Sequence, residues 1–276
     1  AFAKRDDGSY RYYPLAPGAL KDRYAITDFE HTGTRELTAH DYVYAFRRLA
    51  SPRVASPIYS TLAQHVVGFA EYGDKLKQSE SERRDVTAGD SAWLDLRQYG
   101  FEGVKALGDH TLRIRVKGSY PQFKYWLAMT FTAPIPWEAD RFYSQPGMSD
   151  NNLSLNTWPV GTGPFMMVES LQNRRHVLAR NPNFRGEPYP CEGEPGDKER
   201  GLLVDCGEMT PFLDRLVFNI EKESIPLQGK FMQGYYDLPQ ASRGDIGVSM
   251  LVAASDSTEK AALYAERGIQ LPTTVE

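Results

Sequence analysis

The chain has 276 residues, 41% of them hydrophobic and 25% charged, proportions of a folded globular protein rather than a disordered or collagen-like one. Its formal net charge is −4, so it lacks the basic excess that grips a phosphate backbone, and nucleic acid is ruled out as its main ligand. No run approaches the ~18 consecutive apolar residues of a membrane helix.

In chain order, Tyr10, Tyr12 and Tyr13 precede Pro14 and Pro17, which predicts a strand followed by a turn. Leu37 to Leu49 is the clearest helix. Thr38 can cap it, Asp41 completes a box of the S/T-x-x-D type, and Val43, Phe46, Leu49 and Ala50 recur at helical spacing. Ser51-Pro52 ends it. A second helix is expected from Pro57 to Val66, with Ile58, Leu62 and Val66 on one face. Lys75 to Asp90 is polar and charged and reads as a solvated helix or loop. From Gly103 the period changes to two: Leu112, Ile114 and Val116 alternate with Arg113, Arg115 and Lys117, the mark of a strand with one wet face.

Ser119 can cap the next helix, with Pro121 in its first turn and Phe123, Trp126 and Leu127 as its apolar stripe. Pro134 and Pro136 break the chain. Gly161 to Pro164 turns it into a strand at Phe165, Met167 and Val168, for which Val177 to Ala179 is a hairpin partner. A loop then runs from Asn181-Pro182 to about Pro211. Leu216, Phe218 and Ile220 alternate again, Phe231 to Asp237 reads as a short helix and turn, and Ser257 to Arg267 as a helix stopped by Gly268. Strands alternating with helices indicate an α/β or mixed α+β layout.

Motifs of known chemistry are missing. There is no Walker loop, H-E-x-x-H, G-x-S-x-G or C-x-x-C, and the five histidines are dispersed. No metal site or cofactor is expected. Glu221 and Glu223 could share one face of a strand as an acid/base pair, although solvation at a strand edge is the commoner role of such residues. Gly161-Thr162-Gly163 is followed by Pro and reads as a tight turn rather than a phosphate loop. Asn152-Leu153-Ser154 fits a glycosylation triplet, a pattern that chance often supplies. Cys191 and Cys206 form one disulfide if the protein is exported and remain two unrelated thiols if it is cytosolic. Aromatic residues reach 12%, enough to bind a flexible ligand by contact area. A binding module fits better than an enzyme.

Five segments, in this order, resemble the family 5 extracytoplasmic solute-binding proteins, the peptide-binding components of ABC importers. They are GTRELTAHDYVYAFRRLASPRVASPI (Gly33 to Ile58), GVKALGDHTLRIRVKGSYPQFKYWLAMTFTAPIP (Gly103 to Pro136), VGTGPFMMVES (Val160 to Ser170), RNPNFRG (Arg180 to Gly186), and PFLDRLVFNI (Pro211 to Ile220) with FMQGYYDL (Phe231 to Leu238). Two features depart from the family pattern. His31-Thr32-Gly33 lacks the usual Asp, and Pro188 to Thr210, with both cysteines, has no counterpart.

The resemblance implies a lobe of the type II periplasmic-binding-protein kind, with the second lobe incomplete. Residues 1–27 would begin the first lobe, 28–136 form an inserted α+β subdomain, and 137–276 supply the rest of the lobe up to the hinge. Family members are longer, so the chain looks like a first-lobe fragment. The expected role is capture of oligopeptides or related small solutes in an interlobe cleft and delivery to an ABC permease, by a periplasmic monomer without catalysis. Cleft contacts map to Tyr59 and to Met129, Thr130 and Phe131. Sensing rather than transport, or a peptide- or ester-directed hydrolase, are the alternatives.

Overall fold

In the computed structural model, which describes residues 2–4, 10–12, 18–29, 33–86, 93–238, 262, 263, 265 and 266, the chain divides into two units, Ala1–Phe218 and Asn219–Glu276. The layout is mixed α/β. The expected boundaries at 27/28 and 136/137 both fall inside the first unit, which holds two separate apolar cores.

At the start, β1 (Phe2–Lys4) pairs antiparallel with β2 (Tyr10–Tyr12). The first core is built on α1 (Ala39–Leu49). Asp41 accepts the Thr38 backbone N–H at 2.9 Å, closing the first turn as the sequence predicts. Val43, Phe46 and Leu49 then bury one face. Next, α2 (Tyr59–His65) and α3 (Phe69–Val86) are joined through Gly68, at φ +70°, a conformation that favours glycine. The solvated element expected at Lys75 is corrected here. Its helix begins at Phe69 and is wet along one face only: Phe69, Tyr72 and Leu76 are fully buried, while Glu71, Asp74, Lys75, Lys77 and Gln78 are exposed.

A hairpin covers this core. β3 (Val104–Gly108) pairs antiparallel with β4 (Thr111–Ile114), in the register Val104↔Ile114, Lys105↔Arg113 and Ala106↔Leu112. The extended chain runs on past β4, with Val116 bridging Val66. α4 (Phe123–Leu127) is shorter than expected, starting after Gln122 rather than at Ser119. Of its predicted apolar stripe, Phe123 is buried, Trp126 half-buried and Leu127 exposed.

The second core takes Phe29 from before this region and Phe142, Met148, Leu153 and Trp158 from after it, with Phe29 edge-on to Phe142 at 5.3 Å. Between the two cores lies α5 (Trp137–Tyr143), which the sequence reading did not foresee. Its carboxylates face the first core. Arg35 donates to Glu138 twice at 3.0 Å and to Asp41 at 2.8 Å. Asp140 accepts from Tyr44 at 2.7 Å, Arg48 at 2.9 Å and Trp93 at 3.1 Å. Phe142, on the same helix, belongs to the other core.

Beyond it, β5 (Phe165–Leu171) and β6 (Arg175–Arg180) form the predicted antiparallel hairpin, and β9 (Arg215–Asn219) follows in the order β5-β6-β9. The excursion between β6 and β9 is closed by β7 (Glu187–Pro188) against β8 (Met209–Thr210). Within it Cys191 and Cys206 are joined as a disulfide. In the second unit, α6 (Ser224–Met232) begins earlier than expected, because Pro226 is tolerated in a first turn. The expected helix from Ser257 to Arg267 lies outside the described residues except for 262, 263, 265 and 266, which are helical.

Candidate functional site

Met129, Thr130 and Phe131 fall at the junction of α4 with a short 3-10 turn, Thr130–Thr132. The buried Thr132 fixes that turn. Its hydroxyl donates to the Trp126 carbonyl at 2.8 Å, and its backbone N–H reaches the Met129 carbonyl at 3.3 Å. Met129 and Phe131 are left 45% and 41% exposed, and Tyr125 and Leu127 on the preceding helix are also open to solvent. A tied backbone therefore presents several large apolar side chains, the composition expected of a surface that binds by contact area.

Tyr59 is in a different setting. It opens α2, is half-buried, and lies against Phe69 at 5.4 Å between ring centroids, with the Lys77 ammonium 5.5 Å from its own ring. A Cβ at Gly73 would approach the Tyr59 hydroxyl to 2.5 Å, so the glycine makes room for the ring. Tyr59 is thus packed on α3 along one side. The other end of α2 is tied to α4: His65 stacks on Tyr120 at 3.9 Å, and Trp126 donates to the Tyr120 hydroxyl at 2.8 Å. Sequence reasoning missed this His65–Tyr120–Trp126 chain, because His65 is remote in sequence from the other two and the three follow no common period.

The remaining candidates find structural roles. Asn181 clasps the Gly161–Pro164 turn, donating from its side chain to Gly163 at 2.9 Å and from its backbone to Pro164 at 2.8 Å. Glu221 is held by Lys230 and Tyr236, the first and then the second depressing its pKa, while Glu223 precedes α6 as its N-cap residue. Neither carboxylate is placed as half of an acid/base pair. In the glycosylation triplet Leu153 is fully buried, and the Asn152 side chain donates to the Ser170 carbonyl at 3.4 Å.

Among the described residues one serine–histidine contact is found, from Ser170 Oγ to His176 Nδ1 at 3.3 Å. Ser170 is 6% exposed, and the nitrogen facing it is the one that a serine-hydrolase triad turns toward its carboxylate. Among the described residues, no three of His, Cys, Asp and Glu are grouped to hold a metal ion. Over the same residues, no helix is long and apolar enough to cross a membrane.

The sequence model described as bacterial extracellular solute-binding proteins, family 5 middle, matches residues 31–246. The chain belongs to this family. The periplasmic oligopeptide-binding protein OppA of Salmonella typhimurium is 31% identical over 148 residues, covering 54% of the chain and 23% of the relative. The nickel-binding periplasmic protein of Escherichia coli is 37% identical over 98 residues, covering 35% and 17%. Among solved structures, the clavulanic acid biosynthesis oligopeptide binding protein 2 superposes with a TM-score of 0.50 at 19% identity, over 83% of the chain and 34% of that structure. The fold of this family 5 chain is therefore that of part of a type II periplasmic binding protein. The matched region spans about a quarter of the length of the OppA relative.

Proposed function

We propose that this chain is part of an extracytoplasmic solute-binding protein that captures oligopeptides, or related small solutes, between two lobes and hands them to the permease of an ABC importer. The family match over residues 31–246, with relatives named for oligopeptide binding, carries the reading. The interleaved cores add support. A first core with buried members between residues 43 and 123, flanked by Phe29 and residues 142–158 of a second, is the arrangement an inserted subdomain would produce, with Phe29 at the start of 28–136 serving the other core. The bonded Cys191–Cys206 pair fits an oxidising compartment outside the cytoplasm.

In this reading Met129, Thr130, Phe131 and Tyr59 contribute to one wall of the cleft, and the protein performs no chemistry. It acts as a monomer whose lobes close on the ligand by hinge motion. Calorimetric titration of a mixed peptide library into the whole protein tests it. Saturable heat at micromolar or tighter strength is the expected result. Silence with peptides, together with binding of a sugar or a metal chelate, would remove peptides as the cargo.

A further inference from the structure

The β3–β4 hairpin has a second face that solute capture does not use. Val104, Ala106, Leu112 and Ile114 turn inward against the first core, so strand alternation sends Lys105, Arg113 and Arg115 outward, with Lys117 continuing the row. All four are exposed. Lys105 and Arg113 stand directly opposite each other in the register, a like-charge pairing that weakens a sheet unless something else favours it. Three carboxylates stand alongside, Glu102, Asp109 and Glu36. Glu102 pairs with Arg115, and at the hairpin tip Asp109 lies 3.9 Å from His40 and Glu36 lies 3.7 Å from His110. Leu107, at that tip, is 57% exposed. A chain of net charge −4 thus places four cations on one face of the hairpin, with Arg115 paired to Glu102, Lys117 donating to the Ala63 carbonyl, and Lys105 and Arg113 side by side beneath one projecting apolar side chain.

We propose that this face docks on an anionic phospholipid bilayer. Alternate residues along a strand repeat every ~6.7 Å, so Lys105, Arg113 and Lys117, the cations of the row without a carboxylate partner, are spread to meet an extended plane of charge rather than one point ligand. Polybasic faces are drawn to anionic membrane surfaces over a Debye length. The tip leucine gives the apolar contact that an acidic protein surface would not need. The inference goes beyond solute capture and does not depend on which solute is bound.

The test is co-sedimentation of the whole protein with vesicles of phosphatidylglycerol and phosphatidylcholine, compared with phosphatidylcholine alone. Binding is expected only to the anionic vesicles, with loss in 0.5 M salt. The double variant Lys105→Glu/Arg113→Glu should bind at least tenfold more weakly, with an unchanged circular dichroism spectrum and peptide affinity. Reversing two exposed cations elsewhere, Lys198→Glu/Lys222→Glu, should leave vesicle binding within twofold of the parent. Equal weakening by both pairs would reduce the effect to net charge and overturn the assignment. So would failure of the parent protein to bind anionic vesicles at low salt, or pull-down of an acidic protein by the hairpin without vesicle binding.

Discussion

Phe131 and Tyr59 separate binding from stability, because their surroundings differ. Phe131 is 41% exposed and its turn is held by Thr132, so Phe131→Ala leaves the backbone intact. If the ring buries against a ligand, its removal costs about 1.5 kcal/mol, roughly a tenfold loss of affinity with an unchanged melting temperature. Titration of the Phe131→Ala protein checks this, and unchanged affinity would take Phe131 out of the cleft. Tyr59→Ala would be a poorer probe, since it also removes the contact with Phe69. Tyr44 gives a pH prediction. Burial, then the charge of Asp140, pushes its pKa well above the ordinary tyrosine range. Tyr72 and Tyr143 are raised as well, chiefly by burial. A group whose folded pKa is raised binds its proton more tightly in the native state. Its contribution is therefore full below about pH 10, the unfolded value, and falls as pH rises above it. Urea unfolding at pH 8, 10 and 11 should show stability dropping over the last two points. Tyr44→Phe should cost about 2 kcal/mol at pH 8, the worth of a hydrogen bond to a charged acceptor, and should show a shallower alkaline fall. Parallel curves for parent and variant would refute the assignment to Tyr44.

At the scale of elements, Gly103 decides how the hairpin meets the helices. Its carbonyl accepts the Arg115 N–H at 2.8 Å, and a Cβ there would come within 1.9 Å of the Val67 carbonyl oxygen. Backbone cannot yield as a flexible side chain can, so Gly103→Ala should cost about 3 kcal/mol through overpacking. A chemical denaturation midpoint unchanged by the substitution would refute that packing. The neighbouring elements show what a sequence can reveal. α1 was legible because cap, box and apolar period agree within a dozen residues, and β4 because Leu112, Ile114 and Val116 alternate with cations. The start of α3 was obscured by the bridge at Val66 and the turn at Gly68, which separate Phe69, Tyr72 and Leu76 from the helix before them. α5 was invisible for another reason. Glu138 and Asp140 look like solvated charges, yet their partners Arg35, Tyr44 and Arg48 stand 92 to 103 residues away. No local window contains that information. The candidate cleft residues likewise came from family resemblance, since exposure of Met129 and Phe131 follows from a turn whose anchor, Thr132, has no sequence signature.

At the scale of the whole molecule, α5 makes the proposed subdomain depend on residues beyond its own proposed boundary. A piece ending at residue 136 would keep every buried member of the first core yet lose Glu138 and Asp140, and Trp137 packed on its edge. Arg35 would keep Asp41, but Tyr44, Arg48 and Trp93 would each lose an acceptor. Arg97 would lose the Trp137 ring it covers at 3.6 Å. The buried Tyr44 hydroxyl without its acceptor costs ~1–3 kcal/mol, the half-buried Arg48 and Trp93 each lose a charged acceptor as well, and a domain's whole stability is ~5–15 kcal/mol. The piece 28–136 should therefore fail to unfold cooperatively. Extension to residue 143 restores all of these groups and keeps Phe29 against Phe142, but it omits Met148, Leu153 and Trp158, the rest of the second core, and so leaves Phe142 partly uncovered. The piece 28–143 should then fold with a sigmoidal urea transition, more stable than 28–136 by at least about 3 kcal/mol, and associate weakly through Phe142. Substituting Phe142→Ser in it should remove the association and keep the transition. If 28–136 folds as well as 28–143, the carboxylates of α5 are incidental to the first core. If neither folds, the first core needs the second, and the two behave as one cooperative body around α5.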